Sequence, residues 1–489
     1  MHPVTGDLQR AWGTDPNLEP DATPRRQYVF DITELVRFAC NGKHFNLSGI
    51  PRISLLLTHY AMRARPSQIK VGYLDNIDWC YKEFTHTDSL IDFEKLKITL
   101  KNSENHLKPV KTWKYKRNSL RRIYHDMVYS IVLSVRRLQR SILGTGASSK
   151  RLNLGPGDCV VCLGGSWNTL DLFRYLQEAD LLKPGVVDLT VLVPDMIPTL
   201  SKHGAGVVAV PQFEHWLKVL SRLDAPLLVN SDSTLNDLKK WRRRHDSKDV
   251  KVAKFAFGDE MFLLTGKRIR ADVLDLEGSR YVLAVGPLSG RKNGGNLIRA
   301  WQSISSRLPP DRLPLLVFAG SEAGESVTRC GLSEEVAAWD KLRFIRSPND
   351  LELQHLYKNC LFTVYPSLYE GWGLPIGESL WHGKVCATSN VSSMPEVGGT
   401  RCEYFDPTDP DDMALTIEPL IADPAYLEAC ARRIDHAQLL TWEQAAEALL
   451  KTLDSFLPYG DAARGEPLKR STAVRAPTPY REPAAHQYR

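Results

Sequence analysis

The run from Tyr365 to Gly399, YPSLYEGWGLPIGESLWHGKVCATSNVSSMPEVGG, narrows the architectures open to this chain more than any other stretch. It is entered through Leu361-Phe362-Thr363-Val364-Tyr365, apolar and β-rich enough for a buried parallel strand. Pro375 suits the first position of a helix that Gly383 would end. A strand handed through glycines to a helix is a unit of an open α/β sheet. Two carboxylates bracket the turn with seven residues between them: Glu370 falls in the loop leaving the strand and Glu378 in the first turn of the helix. Such sheets bind ligands outside the carboxyl ends of their strands, and a helix N-terminus there offers unpaired N–H groups to phosphate. A carboxylate only accepts hydrogen bonds, so two at this spacing suit a polyhydroxylated ligand such as a hexose and a ribose. Two solvated acids on an ordinary strand, turn and helix are the other reading of the spacing.

Glu370-x7-Glu378, followed by Pro395-Glu396-Val397-Gly398-Gly399, resembles the signature of the retaining, nucleotide-sugar-dependent glycosyltransferases of the GT-B fold. Within that fold it is similar to the large family 4, the group 1 glycosyl transferases. The resemblance implies that Glu370 contacts the transferred sugar and Glu378 the nucleotide ribose. It also implies that Gly371, Trp372, Gly373 and Leu374 bring backbone N–H groups near the sugar and diphosphate, the glycines removing side-chain bulk where backbone approaches ligand.

A second constellation lies upstream. Tyr281 to Gly286 reads as a strand, Pro287 to Lys292 as a loop, and Asn293 onward as a helix through Leu297, Ile298 and Trp301. Arg291 and Lys292 thus fall where strand, loop and helix meet. Expulsion of a diphosphate adds negative charge in the transition state, which fixed cations stabilise, Arg through a fork and Lys as a point charge. A solvated Arg-Lys pair is the plain alternative, but Gly286-Pro-Leu-Ser-Gly-Arg291-Lys292-Asn293 resembles the family's loop at this point.

The amino-terminal half also reads as α/β, with strands at Tyr28-Val29-Phe30, Val160 to Leu163, Leu189 to Val193 and Pro226 to Asn230. Ser48-Gly49-Ile50-Pro51-Arg52-Ile53 and Ser231 to Leu238 resemble further family segments. Gly49 and Arg52 would then reach the donor diphosphate or the acceptor from across the cleft; a helix start with a solvated Arg is the alternative. Relatives often carry His-Asp-Leu-Ile-Pro where this chain has Pro194-Asp195-Met196-Ile197-Pro198. Asp195 is therefore the candidate for orienting the acceptor hydroxyl, or else a cap or turn residue. Gly164-Gly165-Ser166-Trp167 would line the acceptor pocket, unless Trp167 is packing.

At 489 residues the chain has length for two domains with their own cores. The expected fold is α/β, GT-B, with two doubly wound Rossmann-like domains facing a cleft. Residues 27–260 form an acceptor-side domain, 275–440 a nucleotide-sugar-binding domain, and 441–457 a return helix. Residues 1–26 lack an apolar h-region and read as a disordered arm rather than a signal peptide; 458–489 read as a disordered tail. No stretch is apolar enough to span a membrane. Nine scattered cysteines give no disulfide framework and point to a reducing cytosol. Cys159 and Cys162, three apart in a strand, face opposite ways.

Between Lys111 and Arg151 eleven lysines and arginines stand against Asp126 alone, whereas the whole chain carries only +6, so the remainder is slightly acidic. Leu120, Ile123, Met127, Ile131, Val135, Leu138 and Ile142 recur there at helical spacing, which predicts a basic amphipathic helix over about 115–143. That helix would rest on an anionic leaflet and bring the enzyme to a lipid-linked acceptor, or else be a domain helix with solvated charges.

The expected function is that of a retaining hexosyltransferase. It would move mannose from GDP-mannose onto a lipid-linked or polysaccharide acceptor, in surface polysaccharide synthesis on the cytoplasmic side of the plasma membrane. The nucleotide sugar is donor substrate, with no cofactor and no metal. A UDP-sugar donor is the close alternative. A non-catalytic protein binding nucleotide sugar, membrane or nucleic acid is a different class; against nucleic acid, the basic run has few stacking aromatics and no reader motif.

Overall fold

The computed structural model of the chain describes residues 26–40, 49–75, 78–85, 90, 150–200, 209–247, 249–264, 266, 268–288, 290–321 and 326–456. The expected amino-terminal arm, the basic amphipathic helix and the carboxyl-terminal tail lie outside these residues.

Two sheets carry the fold. The first contains β1 (Gln27–Asp31), β2 (Ile69–Asp75), β3 (Cys80–Glu83), β4 (Asp158–Cys162), β5 (Val187–Val193), β6 (Leu227–Val229) and β7 (Val252–Lys254), in the order β3-β2-β1-β4-β5-β6-β7. All its pairs are parallel except the edge pair β2 with β3. The second contains β8 (Tyr281–Val285), β9 (Leu315–Gly320), β10 (Leu342–Arg346), β11 (Thr363–Tyr365), β12 (Cys386–Ser389) and β13 (Glu403–Phe405). Its order is β10-β9-β8-β11-β12-β13, parallel throughout. Strands such as VDLTVLV in β5 are buried on both faces, as parallel strands covered by helices must be. Cys159 and Cys162 duly fall into different core clusters.

The amino-terminal sheet has seven strands where the sequence reading found four; β2, β3 and β7 carry polar residues such as Lys70, Lys82 and Lys254 that break the apolar runs. In each sheet the strand order reverses once, between β1 and β4 and between β8 and β11. Crevices open at such switch points. The helix Trp442–Phe456 crosses back to the first domain, burying Trp442, Ala445, Leu449 and Leu453 in the cluster that holds Leu55 and Leu56. The Trp442 indole N–H donates to Glu260 O at 2.8 Å, and Tyr28 OH donates to Asp454 at 2.9 Å.

Candidate active site at the domain boundary

The helix Leu374–Trp381 begins at Gly373, whose φ of +123° no side-chain-bearing residue adopts readily, and Pro lies in its opening turn. Glu370 precedes this turn, in the loop leaving β11. Glu378 is the fifth residue of the helix, so it sits just past the first turn in which the sequence reading placed it. The cause is that the helix starts at Leu374, directly after the glycines.

Glu370 is 7% exposed. Its Oε1 accepts from Lys292 Nζ and from Ser367 Oγ, each at 2.6 Å, and pairs with the Arg291 guanidinium. Lys292 Nζ also donates to Tyr365 OH at 2.5 Å and lies 4.6 Å from the centre of that ring. Burial alone would push the Glu370 carboxyl up, but Lys292 and Arg291, with hydrogen bonds from Lys292 and Ser367, hold it down at about 2. Burial pushes the Lys292 ammonium down despite Glu370. Two cations against one carboxylate leave a net positive charge in low-dielectric surroundings, fixed at the β8–β11 switch point, where an added anion would be attracted most strongly.

Backbone contacts brace this arrangement. Arg291 O accepts from Leu368 N at 2.8 Å, and Asn293 Nδ2 donates to Pro366 O at 3.1 Å and to Pro407 O at 2.7 Å. Ser392 and Ser393 both donate to Glu370 O, at 2.5 and 3.0 Å, and Ser393 also reaches Trp372 O at 2.6 Å. These serines, with Ser367 and Tyr365, escaped the sequence reading; adjacency to Pro395-Glu396 was the one signal that could have flagged Ser392 and Ser393.

From the other domain, Asp195 follows β5 and meets the same loop. A Cβ placed on Gly371 would lie 2.2 Å from Pro194 O and 2.7 Å from Asp195 Cβ, so only glycine lets the two loops touch. Asp195 Oδ1 accepts the N–H of Ile197 at 2.9 Å, making it a turn-capping residue as well as a neighbour of Arg291 and Glu370. Burial pushes its carboxyl up to about 6, against the Ile197 hydrogen bond and Arg291 and together with Glu370. Trp372 packs edge-on against Phe257, ring centres 5.6 Å apart, and its buried indole N–H has no hydrogen-bond partner. Trp167 packs on Phe213 and Trp216 at 5.3 and 5.5 Å.

Glu378 is equally buried, and its Oε2 accepts from Tyr357 OH at 3.0 Å. Burial raises its carboxyl, opposed by Arg52 and the Tyr357 hydrogen bond. Gly49 opens the helix Ile50–Ala64 with φ +65°. The alternative of a solvated Arg52 is overturned: Arg52 is 6% exposed, its Nη1 lies 2.6 Å from Asp350 Oδ1, and its Nη2 donates to Phe262 O. Asp350 Oδ2 accepts from Leu264 N at 2.9 Å. Arg52 therefore ties the first domain to the second beside Glu378, with both sides of its fork engaged by protein. Asp406 to Asp409 is a turn that leads into the helix Pro410–Ala422, which Asp409 caps and whose first turn holds Asp411 and Asp412. Among the described residues no group of three or more His, Cys, Asp or Glu side chains could hold a metal ion, and no helix is long and apolar enough to cross a membrane.

Two Rossmann-like domains that bring their switch-point loops together in this way have the GT-B architecture. Residues 267–438 match the model of the family described as glycosyl transferases group 1. The chain is 34% identical over 164 residues to O-antigen chain mannosyltransferase B of Escherichia coli, covering 33% of this chain and 42% of that one. It is 26% identical over 291 residues to the serotype-specific mannosyltransferase WbdA of Escherichia coli, covering 57% of this chain and 35% of the relative. The chain thus spans less than half the length of these curated relatives. Among solved structures it resembles sucrose-phosphate synthase from Thermosynechococcus elongatus, with a TM-score of 0.54 at 16% identity over 88% of this chain and 99% of that one. It also resembles Anabaena HepE in complex with UDP and glucose, with a TM-score of 0.52 at 12% identity over 88% of this chain and all of that one.

Proposed function

We propose that the chain is a retaining hexosyltransferase that takes mannose from GDP-mannose and adds it to a lipid-linked or polysaccharide acceptor in surface polysaccharide synthesis. The observation that carries this reading is the pairing of Arg291 and Lys292 on Glu370 at the switch point, with Asp195 facing them from the other domain. In the proposed reaction Arg291 and Lys292 bind the diphosphate and stabilise the charge it gains on leaving. Glu370 then exchanges their company for hydroxyls of the sugar, while Glu378 accepts from the ribose. Asp195 orients the acceptor hydroxyl, and the departing diphosphate takes its proton on the face that the sugar leaves. The mannosyltransferase names of the two relatives favour mannose. The basic segment 115–143 is the proposed contact with an anionic membrane at the cytoplasmic face.

Thermal melting with GDP, UDP or ADP in excess EDTA tests this. A ligand at about 100 times its dissociation constant adds roughly 2.7 kcal/mol to stability. Stabilisation by GDP that Lys292→Ala removes is the expected result. Stabilisation by UDP alone would replace the donor, and no shift with any nucleotide would overturn the reading.

A further inference from the structure

Arg242 stands in the last turn of the helix Asp232–Arg244, on the first domain and outside the site just described. It is 6% exposed, and its Nε, Nη1 and Nη2 atoms are all buried without a hydrogen-bond partner. The indole N–H of Trp241, the preceding residue, is buried and unpartnered as well. Both residues line one cavity, closed by Leu217 and Leu220 from the helix Ala209–Leu223, by Leu227 of β6 and by Val250. The cavity has room for about one water-sized particle.

A guanidinium stays charged at any pH a folded protein meets, and a buried charge is tolerated only when something compensates it. Asp224 and Asp249 act on Arg242 through space, yet no ion pair joins either to it among the described residues. The remaining lining side chains are hydrocarbon, apart from Ser221, whose hydroxyl donates to Leu217 O at 2.9 Å. The side-chain groups in the cavity that lack partners are therefore all N–H donors. A water molecule would accept from them but must place two protons of its own, and Ser221 Oγ is the one side-chain acceptor on the wall. An anion needs donors alone. Size excludes phosphate and sulfate.

We propose that a single monovalent anion of halide size occupies this cavity, held by the Arg242 guanidinium with the Trp241 N–H as a further donor. It fastens the end of the helix Asp232–Arg244 to β6 and the helix Ala209–Leu223. A helix C-terminus repels anions, so the attraction rests on the guanidinium, and removing that group abolishes binding.

The test uses the full chain. Sodium bromide or chloride replaces sodium gluconate at constant ionic strength, and the melting temperature is followed for the wild type and Arg242→Met. The expected result is a saturable rise with halide in the wild type and none in the variant. Crystals of the wild type grown in sodium bromide are expected to show an anomalous peak against the Arg242 guanidinium, a measurement that stands even if the variant fails to fold. A water or the Asp249 carboxylate in that position, with no anomalous peak, overturns the proposal. A peak without halide-dependent melting of the wild type marks an adventitious ion only and overturns it equally.

Discussion

Glu396 sets a carboxylate oxygen 2.9 Å from the backbone nitrogen of Ser233, across the boundary between the two domains. Its other oxygen accepts from Asp232 N at 2.7 Å, so a residue of the second domain caps a helix of the first at the end where the helix dipole favours an anion. Ser231 caps the same helix from its own chain segment, accepting from Thr234 N at 3.0 Å. The contact also reaches the Glu370 loop, because the Ser233 hydroxyl lies 3.2 Å from that of Ser392, which holds Glu370 O. Replacing Glu396 with Ala should cost about 1 kcal/mol, the usual loss for a helix cap. Urea unfolding checks this, with Glu396→Gln expected to recover part of the loss.

Lys292→Ala and Glu370→Ala should fail in different ways. Removing Lys292 leaves Glu370 paired with Arg291 and the fold intact, but in the proposed reaction takes one cation from the leaving diphosphate, for an expected loss of about 100- to 1000-fold in turnover. Removing Glu370 leaves two partly buried cations facing each other unpaired, and stability should fall by less than the roughly 3–5 kcal/mol of a fully buried broken pair. Melting curves separate the two variants before any activity is measured.

Stability should respond to pH with opposite signs at the two carboxylates. Glu370 titrates at about 2 rather than 4.5, so its contribution is complete above 4.5 and lost as pH falls toward 2. Asp195 is raised from 3.8 to about 6, so its folded state favours the proton, and that contribution is present below 3.8 and lost as pH rises through about 6. Asp195→Asn should therefore gain on the wild type across that second window and stay level above it. Unfolding free energies measured against pH for both proteins give the answer.

Gly371→Ala tests the contact between the loops. The new methyl would meet Pro194 O, a backbone atom that cannot swing away, so the two domains must part. Turnover should be lost while each domain keeps its secondary structure; small-angle scattering should report a larger radius of gyration, and an unchanged radius with full activity would sink this account.

Much of the second domain was legible in sequence because its signals are local. An apolar run, a pair of glycines and a proline over Leu361 to Pro375 specify strand, turn and helix with little help from the rest of the chain, and the α/β class follows. The same holds for Tyr281 to Asn293. Strands β2, β3 and β7 were not legible, since Lys70, Lys82 and Lys254 interrupt the apolar pattern and only pairing with neighbours makes these segments strands. Candidate charges could likewise be named but not their partners.

By itself, then, the sequence determined which residues lie at strand ends and helix starts, and hence where Glu370, Arg291, Lys292 and Asp195 could act. Tertiary structure alone decided that Arg52 pairs with Asp350, 298 residues away, instead of remaining in solvent, and that Glu396 caps a helix of the opposite domain. The physical reason is range. Backbone conformation answers to residues a few positions away, whereas a charge finds its partner at 2.6 Å only after two domains have packed, and no spacing in the chain records that distance.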